Sequence, residues 1–175
     1  MKKVVILLSI VFLSATVFAQ EMSIKIGYVD SQVILNQYPP AVKAQSDLDA
    51  MVQKWYQQID SMNVELNQEV QEYQQQAATM TEDARAAREQ ELVKKQQATE
   101  QFRQAKFNQQ NGELYRKQEE FLGPIKEKVF DAIDKVAQVE GMKFVFDKAG
   151  DVVLLYASEE YDITYKVLDQ LKRGK

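Results

Sequence analysis

The chain has 175 residues, of which 22 are Lys or Arg and 26 are Asp or Glu, and its net charge is −4. It contains no Cys and no His. This composition excludes disulfides, thiol nucleophiles, His general bases, Ser-His-Asp triads and Cys-His metal sites. An enzyme would have to use Asp, Glu, Lys or Tyr alone, so the composition argues against catalysis.

The first 19 residues have the pattern of a secretory signal peptide. Lys2 and Lys3 form a positive start, 4–18 is an almost unbroken apolar run, and small-residue spacing places a cleavage site after Ala19. The run is shorter than the roughly 20 residues that a membrane-spanning helix needs. We therefore expect an exported mature chain that begins at Gln20. A retained N-terminal anchor is the alternative.

Without Lys2 and Lys3, the mature chain has 20 basic and 26 acidic residues, a net charge of −6. Binding to nucleic acid requires a clustered basic face, so we expect no nucleic-acid partner. An exported chain without disulfides must be held together by packing or by oligomerisation.

The large apolar residues (Val, Ile, Leu, Met, Phe, Tyr and Trp) divide the mature chain into two compositions. Residues 41–120 contain 17 Gln, one Gly and no Pro, and only 19 of these 80 positions are large and apolar. The flanks 20–40 and 121–175 hold 32 large apolar residues in 76 positions. The middle is therefore typical of a long polar helix. The two ends must meet to form one core, with the middle looping out.

The first flank predicts a strand and a short helix. Residues 24–29 are strand-like, and Asp30 or Ser31 can cap a helix that runs to Gln37. The Pro pair that follows ends this element, and Pro40 can open the first arm.

An apolar stripe in the first half of the middle segment predicts a helix. Its steps alternate between three and four residues, with one stutter of two fours, and disordered polar tracts do not keep such a register. The stripe consists of Leu48, Val52, Trp55, Ile59, Met62 and Leu66, followed by Val70, Tyr73, Ala77 and Met80. The second half, 81–120, has few large apolar residues, so we expect a helix that depends on the first for its stability.

The chain is predicted to turn back near 79–82. Thr79 and Thr81 are N-cap candidates, and Thr79 with Glu82 has the spacing of a capping box. A turn there gives two arms of about 38 residues, each about 57 Å long. The alternative is one unbroken rod of about 120 Å, because no Gly or Pro marks the turn. We predict the hairpin, since the split core requires the chain to return.

The second flank predicts helix, β-hairpin and helix. Gly123-Pro124 is expected to kink or restart the helix, whose apolar face then continues to Gly141. Residues 143–147 and 152–156 are predicted to be strands joined as a hairpin. Asp162 is expected to cap a last helix that carries Ile163, Val167 and Leu171.

These elements predict an α+β fold. Residues 20–40 and 121–175 form a small β-rich body, and 41–120 form a long antiparallel helical hairpin. The strand 152–156 is apolar on both faces and needs cover on both sides. We therefore expect copies to associate through the body into a shared sheet or barrel, with a copy number that the sequence alone does not fix. The candidate interface residues are Ile24, Ile26, Tyr28, Phe144, Phe146, Val153 and Leu155.

Two short segments carry a resemblance to a known family. Residues 25–30 read Lys-Ile-Gly-Tyr-Val-Asp, and 162–164 read Asp-Ile-Thr, followed by Val167-Leu168. With the predicted order of elements, they make the chain similar to the Skp/OmpH family of periplasmic chaperones. The resemblance implies a homotrimer whose helical hairpins surround a cavity in the periplasm. Family members hold unfolded outer-membrane proteins there without ATP. The chain has no Gly-x-x-x-x-Gly-Lys nucleotide loop, and we expect no cofactor.

A holdase needs weak and multiple contacts, to which adaptable Met and aromatic side chains are suited. Neighbours such as Trp55 and Tyr56 cannot both face the partner helix, nor can Phe102 and Phe107, which are five residues apart. One of each pair is therefore expected to face the client, whereas Met62 is expected to pack between the arms. The client-contact candidates are Met51, Trp55, Tyr56, Met80, Phe102 and Phe107.

The charge of the arms departs from the family. Members that bind anionic lipid strongly are basic, whereas 41–80 has a net charge of −4 here. A lipopolysaccharide site is therefore not carried over. The basic residues near the proposed tip, which are interpreted as a solvated helix face, are Arg85, Arg88, Lys94 and Lys95.

Two other classes of protein are alternatives to the chaperone. A structural or adaptor protein of the cell envelope would use the arms as spacers. An enzyme would need convergent groups, but adjacent acids such as Glu119-Glu120 and Glu159-Glu160 point about 100° apart on a helix. The acids also lack the alternate-position pattern of a calcium loop, so we expect neither catalysis nor a metal site.

Overall fold

The computed structural model of the protein describes residues 24–151 and 153–174. The predicted signal peptide and its cleavage site after Ala19 lie outside the described residues. The elements are β1 (Ile26–Val29), α1 (Ser31–Gln37), α2 (Pro39–Gln76), α3 (Glu82–Phe107), α4 (Glu113–Glu140), β2 (Phe144–Asp147), a 3-10 turn (Glu159–Tyr161) and α5 (Thr164–Arg173). The predicted α+β class with a long helical hairpin is confirmed.

The sheet joins the two ends of the chain. Strands β1 and β2 run parallel, with Ile26 opposite Phe144 and Val29 opposite Asp147. At the other edge of β1, the Ile163 N–H donates to the Tyr28 carbonyl at 3.0 Å. Parallel strands need a crossover connection, and here that connection contains helices α1 to α4. The long hairpin is therefore an extension of one crossover.

One apolar core lies between the sheet and the helices of the body. Ile34 on α1, and Ile163 and Val167 beside and within α5, are completely shielded from solvent. Helix α4 contributes a buried stripe at steps of four, three and four, consisting of Ile125, Val129, Ala132 and Val136. Both flanks of the sequence therefore supply the same core.

Local signals fixed the ends of the body helices largely as expected. The Asp30 carboxylate accepts from the Val33 N–H at 3.0 Å and caps α1. Gly141 ends α4 in the left-handed conformation, with φ of 68°, which costs a residue without Cβ little. The Asp162 carboxylate accepts from the Thr164 N–H at 2.8 Å at the start of α5.

The hairpin turns between Gln76 and Glu82, but the predicted capping box is wrong. Thr81 is the N-cap of α3, and its hydroxyl oxygen accepts from the Ala84 N–H at 3.4 Å. The Thr79 hydroxyl instead donates to the Gln76 carbonyl at 2.8 Å and finishes α2. Thr79 and Thr81 were both candidates for the N-cap of α3. Because the Thr79 hydroxyl bonds to the end of α2 instead, Thr81 is the residue that caps α3.

The returning arm is not one helix, contrary to the prediction for 81–120. Helix α3 ends at Phe107 and α4 begins at Glu113. Between them, the Asn108 side-chain oxygen accepts from the N–H groups of Gln110 and Asn111 at 2.9 and 3.2 Å. Such side-chain to backbone bonds compete with a helix.

Helix α4 also continues where a kink or restart was predicted. It runs through Gly123-Pro124 as one element from Glu113 to Glu140. The predicted restart is wrong because the helix is held by its tertiary contacts: partly buried Phe121 and Leu122 pack on the core just before the Pro, and Ile125 is buried just after it. Burial of this face compensates for the backbone hydrogen bond that Pro cannot donate.

The predicted β-hairpin is absent from the described chain. Strand β2 pairs with β1 and not with the following segment, and residues 153–158 form no strand. Leu155 is 92% exposed. A strand that is apolar on both faces is stabilised only when both faces are covered. The body of one copy covers at most one face, so pairing within one copy stabilises this segment little.

The close contact between Gly27 and Met142 generates a stability prediction. A Cβ added at Gly27 would overlap the Sδ of Met142, which is buried, and would lie 3.3 Å from the Tyr161 carbonyl oxygen. We expect Gly27→Ala to lower the free energy of unfolding by about 1–3 kcal/mol, measured by urea titration at fixed protein concentration.

The matched control is Gly123→Ala in helix α4. A Cβ at Gly123 would meet no atom within 4 Å, so this change should raise the free energy of unfolding by about 0.5–1 kcal/mol through helix propensity. Equal effects at the two glycines would contradict the predicted contact.

Candidate functional site

The base of the helical hairpin is held by an aromatic cluster. Phe107, on the last turn of α3, lies 5.8 Å from Trp55 edge-on and 4.9 Å from Tyr56 nearly face to face, measured between ring centroids. Trp55 is buried, whereas Tyr56 is 55% exposed. Trp55 therefore lies in the seam between α2 and α3, whereas much of Tyr56 is exposed to solvent. Both residues contact the Phe107 ring.

Lys106 connects the aromatic cluster to the break in the returning arm. Its Nζ lies 5.1 Å from the centroid of the Trp55 ring and 5.3 Å from that of Phe102. The same ammonium group donates to the Glu113 carboxylate across the break, and this hydrogen bond lowers the pKa of Glu113. The cation therefore ties α3 to both α2 and α4 at the point where the backbone leaves the helix.

The seam of α3 is partly polar. Before Phe107, its buried and half-buried positions recur at steps of four, three, four, three and four, as in a heptad pattern. They are Arg88, Leu92, Lys95, Thr99, Phe102 and Lys106. This stripe was not predicted, because most of its residues are polar and an apolar pattern does not include them. The signal that could have found it is the heptad spacing itself, read without regard to polarity.

Acidic residues of α2 face the cations of this stripe. The Lys95 Nζ donates to Glu65 at 2.6 Å and also to Glu69. Arg88 lies 3.4 Å from Glu69 and donates to Glu91 at 2.6 Å. The ion pairs with Glu65 and Glu69 join the two helices towards the tip of the hairpin.

The interpretation of the tip cations as a solvated face is wrong for two of the four. Arg88 and Lys95 lie in the seam, as described above, because the acids of α2 stand opposite them. Arg85 is exposed, but its guanidinium donates to the Ala77 carbonyl at 3.0 Å at the end of α2. Lys94 is exposed, as expected. Three of the four cations therefore contribute to the hairpin itself.

The predicted client-contact residues are not equally accessible. Tyr56 is exposed, Met51, Met80, Phe102 and Phe107 are half-buried, and Trp55 is buried in the seam. Other large apolar side chains on the arms are about half exposed and were not predicted, because they stand singly outside the apolar stripe. They are Val64, Val93 and Tyr115.

The sheet exposes a second apolar surface. Alternate residues of a strand point to opposite faces, and Ile26, Phe144 and Phe146 share the face away from the core. We group them with Ile24, Val153 and Leu155, which lie outside the two strands in the sequence, and call the six residues the open sheet face. All six are exposed.

Tyr28 does not belong to the open sheet face, contrary to the prediction. Only 7% of its surface is exposed in a single copy. Burial, then the negative charges of Asp162 and Glu159, raise the pKa of Tyr28. Its pleat position was predicted correctly, but the segment that follows residue 153 covers it.

Within residues 24–151 and 153–174, no group of three or more acidic side chains is arranged to hold a metal ion. None of the helices described for this chain combines the length and the apolar character needed to cross a membrane.

The aromatic cluster generates a prediction that its own fluorophore can report. Trp55 is the single Trp of the sequence. Phe107→Ala removes two aromatic pairs and should lower the free energy of unfolding by about 1–3 kcal/mol. It should also shift the Trp55 emission to the red, because the ring gains water.

Phe130→Ala is the control, since Phe130 is 67% exposed on α4. It should leave both the emission and the stability nearly unchanged. An unshifted Trp55 spectrum in Phe107→Ala would contradict the described cluster.

Comparison with known proteins agrees with this architecture. Residues 25–171 match the model of the OmpH family, described as outer membrane protein (OmpH-like). No curated protein matches the chain. The fold is similar to the crystal structure of a candidate outer membrane chaperone (OmpH-like) from Caulobacter crescentus CB15. The TM-score is 0.71 and the identity 16%, over 87% of this chain and 86% of that one.

Proposed function

Because the chain belongs to the OmpH-like outer membrane protein family, we propose that it is an ATP-independent holdase of the periplasm. Its clients are unfolded outer-membrane proteins, which it binds between helical arms and keeps from aggregating. The similar fold of a candidate outer membrane chaperone supports this assignment. Export by a signal peptide cleaved after Ala19 is part of the same proposal.

The observation that carries the proposal is the surface of the arms. Tyr56, Val64 and Val93 are single apolar side chains, each about half exposed, on a background rich in Gln and charge. Separated apolar contacts of this kind bind a chain weakly at many points, without selecting one sequence. A holdase needs this property, because its clients have no fixed shape to recognise.

The open sheet face supports self-association, which we propose yields a homotrimer. A body of this size rarely supplies more than a few kcal/mol of stability by itself. Leu155 and its neighbours expose apolar surface on both faces of an unpaired segment. Copies that pair through this segment would cover it and would hold their arms around a common space.

The charge distribution limits the proposal to protein clients. The first arm carries a net charge of −4 over 41–80. The cations Arg88 and Lys95 are engaged by carboxylates within the hairpin. Anionic lipid would have to displace those carboxylates, so the proposal does not include a lipopolysaccharide site.

The arm surface leads to a test of holdase activity. We expect the triple change Val64→Ser, Val93→Ser and Tyr115→Ser, which spares the aromatic cluster, to reduce protection of an unfolded outer-membrane β-barrel several-fold, measured by light scattering after dilution from urea. Helix content and assembly should be unchanged, because all three side chains are exposed.

The control changes Phe130, Val139 and Tyr165 to Ser, which are exposed apolar residues outside the arms. Protection should be retained. Equal loss in both triple variants would contradict binding by the arms. No protection by the unaltered protein, together with a stable complex with a folded envelope protein, would favour the adaptor alternative.

The open sheet face leads to a test of assembly. Leu155→Lys should convert the trimer to a smaller species in analytical ultracentrifugation, because a buried unpaired charge is costly at an interface. Val139→Lys is the control, since Val139 is 86% exposed on α4, and it should leave the mass unchanged. A trimer that tolerates Leu155→Lys would contradict association through this face.

A further inference from the structure

The interactions between the two helices of the hairpin differ between its base and its tip. Every buried residue of α2 lies at or before Ile59, and none of the described residues from 60 to 76 is buried. We define the distal half of the hairpin as residues 62–96, from Met62 through the tip to Gln96. The base, from Leu48 to Ile59 and from Thr99 to Phe107, contains the aromatic cluster.

The distal half is closed mainly by charge. Lys95 reaches from α3 to two carboxylates of α2, those of Glu65 and Glu69, and Arg88 approaches Glu69 from the other side. One Glu69 oxygen is buried and has no hydrogen-bond partner within the described chain. Leu92 is the buried apolar residue that α3 contributes here, and it faces a stretch of α2 without buried partners.

The charged and titratable groups around Lys95 come from both helices. From α2 they are Glu65, Glu69, Glu72 and Tyr73, and from α3 they are Arg85, Arg88, Glu89 and Glu91. Tyr73 donates to Glu89 and adds a further link between the helices. All of these links weaken when charge is screened or removed, whereas the base is held mainly by aromatic packing, to which Lys106 adds a charged contact.

We infer that the distal half opens as a unit while the base stays closed, and that this opening offers Leu66, Val70 and Leu92 to the client. Leu66 and Val70 are half-buried and Leu92 is buried in the closed hairpin. The role in client binding rests on the proposed function. The opening itself does not.

The pH dependence has a definite sign. The hydrogen bond from Lys95 is the main cause of the lowered pKa of Glu65, so its stabilising effect is present above the unfolded pKa of about 4.3 and is lost as pH falls. Hydrogen bonds to Glu65 and Glu69 raise the pKa of Lys95, so its contribution persists to strongly alkaline pH. Acid should therefore open the distal half.

Hydrogen exchange of the whole protein, read by mass spectrometry, separates the two halves. We expect faster exchange, after correction for the intrinsic rate, in 62–96 than in the base at a pH below the lowered pKa of Glu65, and also in about 1 M salt, where screening acts within about 3 Å. Equal responses in both halves, or no response, would overturn the inference.

Two variants assign the effect to Lys95. Lys95→Met leaves Glu65 without its cation and Glu69 with Arg88 alone, and it should raise the opening constant of 62–96 about two- to tenfold. Glu65→Gln, Glu69→Gln and Lys95→Met combined should reduce the response of exchange to salt, with the bond from Tyr73 to Glu89 left as a charged link between the helices. Lys43→Met, which removes an exposed pair with Asp47 near the body, is the control and should change neither half. A Lys95→Met protein that exchanges fully in the base as well would show that the halves are not separate.

The client step is tested by binding of an unfolded outer-membrane β-barrel to the same variants. If only the open form binds through these residues, the apparent Kd of Lys95→Met falls by the factor by which opening rises. An unchanged Kd despite faster exchange would overturn the client role and leave the holdase intact. Absence of binding in every variant, the unaltered protein included, would overturn the proposed function, while exchange alone decides whether the distal half opens.

Discussion

The parallel pairing of β1 with β2 is the constraint on which the rest of the structure depends. The two strands lie at opposite ends of the described chain, and neither has another strand partner in one copy. Their pairing, reinforced by the bond from Ile163 to Tyr28, brings both apolar flanks into one core. Everything between them must leave the body and return to it. The polar segment 41–120 between them has one Gly and no Pro, and it leaves and returns as long paired helices.

Different interactions hold the two ends of the arm together. Near the body, Trp55, Tyr56 and Phe107 hold the hairpin mainly by aromatic packing, which depends less on salt and pH than ion pairs do. Towards the tip, carboxylates and cations replace apolar side chains, and such pairs are individually weak at the surface. A rigid base with a loosely closed end suits a protein that must keep its arms in place while adapting to clients of no fixed shape.

The sequence predicted what local signals determine. The Asp30 cap, the end of α4 at Gly141, and the hairpin as the return route all follow from neighbours in the sequence or from the split composition. The break at 108–112 was missed because the Asn-Gln-Gln-Asn run continues the polar composition of the arm, and the Gly that ends it was not interpreted as a helix breaker.

Non-local partners explain the remaining errors. The segment 153–158 has strong strand character, but a strand needs a partner, and β1 takes β2 instead. Arg88 and Lys95 are residue types that usually face solvent. They lie in the seam here because acidic residues of the opposite helix stand next to them. Tyr28 alternates correctly on its strand, yet the segment that covers it comes from the other end of the chain. None of these three facts can be read from adjacent residues.

The most direct test is one distance within a single chain. Because the sequence has no Cys, spin labels can be placed uniquely at Gln45 on α2 and Gln118 on α4, both exposed, in samples diluted with unlabelled protein. Packed helices lie about 8–10 Å apart, so the two labels should be separated by about 20 Å. A separation near 110 Å, as one helix rising 1.5 Å per residue would give, would contradict the doubled-back chain and the shared core.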